Sequence, residues 1–104
     1  MANPTWTEKK VGSDRHETAF LEAGPQDGTA IILVHGWPEL SISWRHQIPF
    51  LAELGYRVVA PDMRGYGNSS TYDTHAAYAQ REVVADMLEL ADALDIDRAI
   101  WIGH

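Results

Sequence analysis

At 104 residues the chain holds one domain at most, or part of one. Its net charge of −7 and pI near 5.0 argue against a nucleic-acid or anionic-membrane partner, because either needs a basic face. No cysteine is present, which excludes disulfides and thiolate chemistry, and 45% apolar with 22% charged residues fits a folded protein rather than a disordered one.

Residues 1–10 lack the apolar core of a signal peptide, and no apolar run reaches the length of a membrane span, so a cytoplasmic location is expected. Residues 5–11 read as a weak strand and 16–22 as a second, with Gly24-Pro25 and Asp27-Gly28 marking the turn that follows. Ala30–Val34, A-I-I-L-V, is an unbroken apolar run of the kind found in a central strand buried on both faces. Residues 43–54 read as one helix carrying Trp44, Ile48, Leu51 and Leu54 on one face, with Pro49 a blemish inside it and Gly55 as its stop. Residues 57–60 form a short strand halted by Pro61, and residues 62–74 a polar, glycine-containing loop. Residues 77–94 give the best helical pattern: Val84, Met87, Leu88, Ala91 and Leu94 predict the buried face, and Arg81, Glu82, Asp86 and Glu89 mostly the solvated one. Residues 99–102 are the last strand. Two strands followed by strand-helix-strand-helix-strand predict an α/β domain with a mostly parallel central sheet. Such a sheet needs further strands and covering helices, so residues 1–104 are expected to be the N-terminal portion of a single larger domain.

Two stretches carry possible chemistry. H-G-W-P-E, residues 35–39, follows a strand, and ligands in open α/β sheets bind beyond the carboxyl ends of strands. Gly36 permits a tight turn with the backbone close to a ligand. Pro38 restricts Trp37 and could fix where its N–H points, which is what an oxyanion hole requires. The other reading is a tight strand-to-helix turn in which Trp37 only packs. The second stretch, P-D-M-R-G-Y-G-N-S-S at 61–70, lacks the third glycine of a dinucleotide loop and the lysine of a P-loop. It reads better as a loop held rigid by Asp62 and Arg64, with Gly65 and Gly67 at positive φ. The histidines at 16, 35, 46, 75 and 104 show no metal-ligand spacing, so no metal is expected. Glu82, Asp86 and Glu89 read as a solvated helix face, Asp92, Asp95 and Asp97 as plain surface, and Trp6, Trp44 and Trp101 as core or edge packing.

The order A-I-I-L-V-H-G-W-P-E, then S-W-R-H-Q-I-P-F-L-A-E-L-G-Y-R-V-V-A-P-D-M-R-G-Y-G-N-S-S, then I-W-I-G-H resembles the α/β-hydrolase fold and, within it, the epoxide hydrolases. The resemblance runs over residues 20–104 and implies the N-terminal part of a three-layer fold. In that family G-H precedes the nucleophile elbow, where epoxide hydrolases place aspartate within G-H-D-W-G and serine esterases place serine. The resemblance therefore puts the nucleophile, acid, base histidine and lid tyrosines beyond His104. It implies that the Trp37 backbone N–H is half of an oxyanion hole and that Trp37 and Pro38 contact substrate. His35 and Gly36 shape that loop, and His104 supports the elbow without being the base. The implied activity is opening of a small-molecule epoxide to a vicinal diol through a covalent aspartyl ester, without metal or organic cofactor. The alternatives are a fluoroacetate or haloalkane dehalogenase, a serine esterase or perhydrolase of the same fold, and a non-catalytic fragment or interaction module. The 104-residue chain alone is expected to be inactive and to need packing against the rest of the domain.

Overall fold

Period-two alternation organises the centre of the molecule. A computed structural model describes residues 6–36 and 39–104. Its strands are β1 (Thr7–Gly12), β2 (Glu17–Ala23), β3 (Ala30–Val34), β4 (Arg57–Pro61) and β5 (Ala99–Gly103), and its α-helices are α1 (Gln47–Glu53) and α2 (Gln80–Ala93). The five strands form one sheet in the order β1-β2-β4-β3-β5. Strands β4, β3 and β5 are mutually parallel neighbours, whereas β1 and β2 extend the sheet antiparallel. The α/β reading holds; the parallel part is the β4-β3-β5 portion.

Successive side chains of a strand point to opposite faces. Leu21, Ala23, Ile31, Leu33, Val58 and Ala60 therefore pack on one face around Ile48 of α1. Phe20, Ile32 and Val59 pack on the other against Met87 and Leu90 of α2. Both faces are covered, and full burial of each large apolar side chain contributes about 1.5–3 kcal/mol. Trp6 and Trp44 lie against the first cluster, as packing residues. Trp101, with Ile100 and Ile102, is exposed on the edge strand β5.

Two expectations need correction. The helix read over residues 43–54 is broken: a 3-10 turn spans Ser41–Trp44, and α1 begins only at Gln47. The reason is Pro49. Proline lacks an N–H and is tolerated in the first helical turn, where that donor has no partner anyway. Starting at Gln47 puts Pro49 in that turn, and Leu54, read as part of the packed face, ends α1 exposed. The buried face of α2 is also rotated from the one read. Val84 and Leu88 are exposed, while Asp86 is only 1% exposed beside Met87, Leu90 and Ala91. Asp86 is drawn inward by basic side chains from outside the helix: Arg64 Nε and Nη2 donate to its two oxygens at 2.6 and 2.7 Å. Arg15 Nη2 also donates to it, and His16 Nε2 lies 3.4 Å away.

A second buried ion pair ties the sheet to the far end of α2. Glu22 of β2 accepts from Lys9 of β1 at 2.8 Å and from Arg57 of β4 at 3.0 Å. Burial works against the charged form, but these two cationic donors hold the Glu22 carboxyl below its ordinary range. Arg57 also donates to the Leu94 carbonyl at 3.0 Å, placing a cation at the negative end of α2.

Candidate active site

The strand order creates the site. From β3 the chain passes through α1 to β4 on one side of β3, and from β4 it passes through α2 to β5 on the other side. Connections diverging from one strand open a crevice beyond the carboxyl ends of the parallel strands. His35 and Gly36 leave the end of β3 there, and His104 leaves the end of β5.

These two exits touch. The His104 N–H donates to the Val34 carbonyl at 3.1 Å, which carries the β3–β5 ladder to its last rung. A Cβ added at Gly36 would overlap the His104 carbonyl oxygen, so glycine permits this close approach. His104 Nδ1 lies 3.0 Å from Glu39 Oε1, and its ring stands edge-on to Trp44 at 6.5 Å between centroids. Glu39, Ser43, Trp44, Gln47 and His104 line a small cleft of about 170 Å³.

His35 is buried with both ring nitrogens engaged. The Met63 N–H donates to Nε2 at 2.9 Å, so Nδ1 carries the proton and donates to the Gly36 carbonyl at 2.9 Å. Gly36 O also accepts the Glu39 N–H at 2.9 Å. Tyr66 stands edge-on to the imidazole at 5.0 Å between centroids. With no free lone pair, His35 acts as a brace, neither base nor metal ligand.

The loop after β4 supplies the other side of the brace. Asp62 is buried; its Oδ1 accepts the Ser41 N–H at 2.9 Å and its Oδ2 accepts the Asn68 N–H at 3.3 Å. Its own N–H donates to Ala19 O at 2.8 Å, and its carbonyl accepts the Ser69 hydroxyl. Gly65 and Gly67 have φ of +84° and +50°, as the sequence predicts. Just before them Arg64 turns away to Asp86 and the Ala77 carbonyl, with its guanidinium 4.5 Å from the Tyr72 ring centroid. Its hydrogen bonds to Asp86 raise its pKa further above the ordinary arginine value.

Of the residues that the sequence points to, His35, Gly36 and His104 come together, and Trp37 and Pro38 lie outside the described residues. Sequence reasoning gave Glu39 no role, although it belongs to the quoted H-G-W-P-E. It also gave none to Ser41 or to the Met63 N–H. A backbone donor leaves no mark in a sequence, but the carboxylate of Glu39 beside a turn motif was a usable signal. His46 and His75 are exposed, and among the described residues no three His, Asp or Glu side chains gather as a metal site.

Residues 29–104 match the family described as the alpha/beta hydrolase fold. The chain belongs to that family. Among its α/β-hydrolase relatives, Epoxide hydrolase A of Mycobacterium tuberculosis is 46% identical over 98 residues, covering 94% of this chain and 30% of that protein. Bifunctional epoxide hydrolase 2 of Mus musculus is 46% identical over 85 residues, covering 82% of this chain and 15% of that protein. The crystal structure of Epoxide Hydrolase A from Mycobacterium thermoresistibile superimposes with a TM-score of 0.91 at 42% identity, covering 96% of this chain and 31% of that one. The chain thus spans 15–30% of the length of these two curated relatives. Among the described residues no helix is long and apolar enough to cross a membrane.

Proposed function

We propose that the protein carrying this chain is an epoxide hydrolase and that residues 1–104 are the N-terminal portion of its single α/β-hydrolase domain. The observation that carries the reading is the 46% identity to Epoxide hydrolase A across 94% of this chain. The contact between the turns after β3 and β5 supports it, since the reaction needs a nucleophile and an oxyanion donor side by side.

The nucleophile of this reading is an aspartate directly after His104. Its carboxylate attacks one epoxide carbon, the carbon–oxygen bond of the ring breaks, and the departing oxygen takes a proton from an acidic lid tyrosine. The product is a hydroxyalkyl ester of the enzyme. A water molecule then loses a proton to a histidine base and adds to the ester carbonyl. Two backbone N–H groups, that of Trp37 and that of the residue after the nucleophile, hold the resulting oxyanion. Collapse breaks the ester C–O bond; the departing alkoxide takes the proton held by the histidine to complete the vicinal diol, and the carboxyl proton returns to the tyrosinate, restoring the carboxylate. His35, Gly36 and His104 shape and support the pair of turns. This reading makes Trp37 and Pro38 substrate-contact residues, so Trp37→Phe, which keeps the N–H, is expected to change substrate preference more than turnover.

The test is a panel of terminal and aryl epoxides, simple esters and haloacids given to the full-length protein with and without a chelator. Epoxides go to diols in both conditions. In heavy-oxygen water the first-turnover diol carries no label, because its new oxygen comes from the carboxylate. Turnover of esters alone moves the protein to the serine branch, and turnover of haloacids alone moves it to the dehalogenases.

A further inference from the structure

Two consecutive residues at the exit of β4 hold the turn after β3 at both of its ends. Upstream, the Met63 N–H donates to His35 Nε2 at 2.9 Å. Downstream, Asp62 Oδ1 accepts the Ser41 N–H at 2.9 Å. Between these tethers runs the stretch that the reading above gives the oxyanion donor. We infer that Asp62 is a positioning residue for ester hydrolysis, acting through the Ser41 N–H to fix the path of the β3–α1 turn. The inference rests on the proposed epoxide-hydrolase reading and adds a residue that works at a distance from the reacting atoms.

Asp62 is built for this. It is 7% exposed, and its main chain is pinned by Ala19 O and the Ser69 hydroxyl. Its second carboxylate oxygen is fixed by the Asn68 N–H. A Cβ at Gly67 would overlap this carboxylate, so the loop closes around it. Its N–H is tied to β2 and its second carboxylate oxygen to its own loop, so among the described residues the bond from Oδ1 to Ser41 is the one that reaches the β3–α1 turn. A charged acceptor makes that bond stronger than a neutral one and shorter-ranged in its freedom. The segment it fixes is one in which small displacements matter, because oxyanion donors act only when aimed at the place where charge develops.

Three variants of the full-length protein separate positioning from stability. Asp62→Leu removes the acceptor. Ser41→Pro removes only the donor: Ser41 opens the 3-10 turn, and Leu40 before it is extended at φ −135° and ψ 171°, which suits a residue preceding proline. Asp62→Asn keeps an oxygen that can accept from Ser41. Single-turnover kinetics with an epoxide resolve ester formation from ester breakdown, and thermal unfolding is followed in parallel. Both Asp62→Leu and Ser41→Pro are expected to slow breakdown by about 10- to 100-fold, a share of the about 100- to 1000-fold that loss of a whole oxyanion donor costs. Formation should change by less than about threefold, so the ester accumulates, and Asp62→Asn should recover most of the breakdown rate. Where Asp62→Leu does not fold, Ser41→Pro gives the answer alone. Equal slowing of both steps, or lowered thermal stability with unchanged rates, overturns the positioning role and leaves the epoxide-hydrolase reading intact. A parent protein that forms no ester from any epoxide overturns that reading itself, and the inference with it.

Discussion

Asp62 and Asp86 are both buried carboxylates, 7% and 1% exposed, and the chain satisfies them in opposite ways. Asp86 faces two side-chain cations, the Arg64 fork and Arg15, with the His16 ring beside them. Among the described residues the Asp62 carboxylate meets only backbone N–H groups, those of Ser41 and Asn68. A guanidinium on a flexible stem fixes which way a helix face turns, whereas a main-chain donor fixes the path of the chain itself. The Asp86 region therefore decides how α2 and the 62–78 loop lock together, and the Asp62 region decides the shape of the turn at the crevice.

Removing Asp86 gives the largest effect that follows from this contrast. Asp86→Leu strands the Arg64 guanidinium, whose side chain is 3% exposed, without a counter-charge. Breaking a buried pair from one side costs about 3–5 kcal/mol, and urea unfolding of the full-length protein should show a loss of that size. A loss under about 1 kcal/mol would place the pair among weak surface bridges. Gly67→Ala comes next. At φ +50°, and with its Cβ driven into Asp62, alanine should cost about 1–3 kcal/mol in the same assay. It should disturb the crevice more than Asp86→Leu does for each unit of stability lost.

Acid should then sharpen the contrast through His16, the buried histidine beside Asp86. Burial pushes the His16 pKa below its ordinary value of 6.5, even though Asp86 favours the charged ring. Arg64 and Arg15 oppose protonation, Glu89 favours it, and Tyr72 lies against Nδ1. The unfolded chain therefore takes up this proton first. Its contribution to stability is full above the ordinary histidine value and declines as pH falls through it. The decline levels once the folded-state group is also protonated. His16→Asn should flatten the stability profile between about pH 7 and the onset of carboxylate titration near the reference pKa values. An unchanged slope would show that His16 does not titrate differently on folding. Arg15→Gln is the smallest change. Arg15 is a third exposed and bridges Glu82 and Glu89 as well as Asp86, and the variant should cost about 1 kcal/mol or less.

These regions differed in how far the sequence disclosed them. The sheet was readable because A-I-I-L-V and R-V-V-A carry their burial in their own composition. Gly65 and Gly67 were readable as positive-φ positions because little else favours such a backbone. The face of α2 was not, since Asp86 is turned inward by Arg64, 22 residues away, and by Arg15, 71 residues away. No helical periodicity contains that. The start of α1 was readable in principle: a proline at position 49 already argues for a helix beginning close before it. At the crevice the sequence supplied His35, Gly36 and His104, but the brace on His35 comes from a backbone amide that every residue except proline possesses.

The residue-for-residue pairing of β3 with β5, ending at Val34 opposite Gly103, has a practical consequence for building hybrids with relatives. One residue inserted into β5 would advance His104 by about 3.3 Å and turn it to the opposite side of the sheet. Gly36 would then meet a different atom, and Glu39 would lose its imidazole. The exposed segment 73–76, by contrast, contributes nothing to strand pairing. Splice points placed there would exchange α2 and β5 as one block and preserve the height at which both turns leave the sheet.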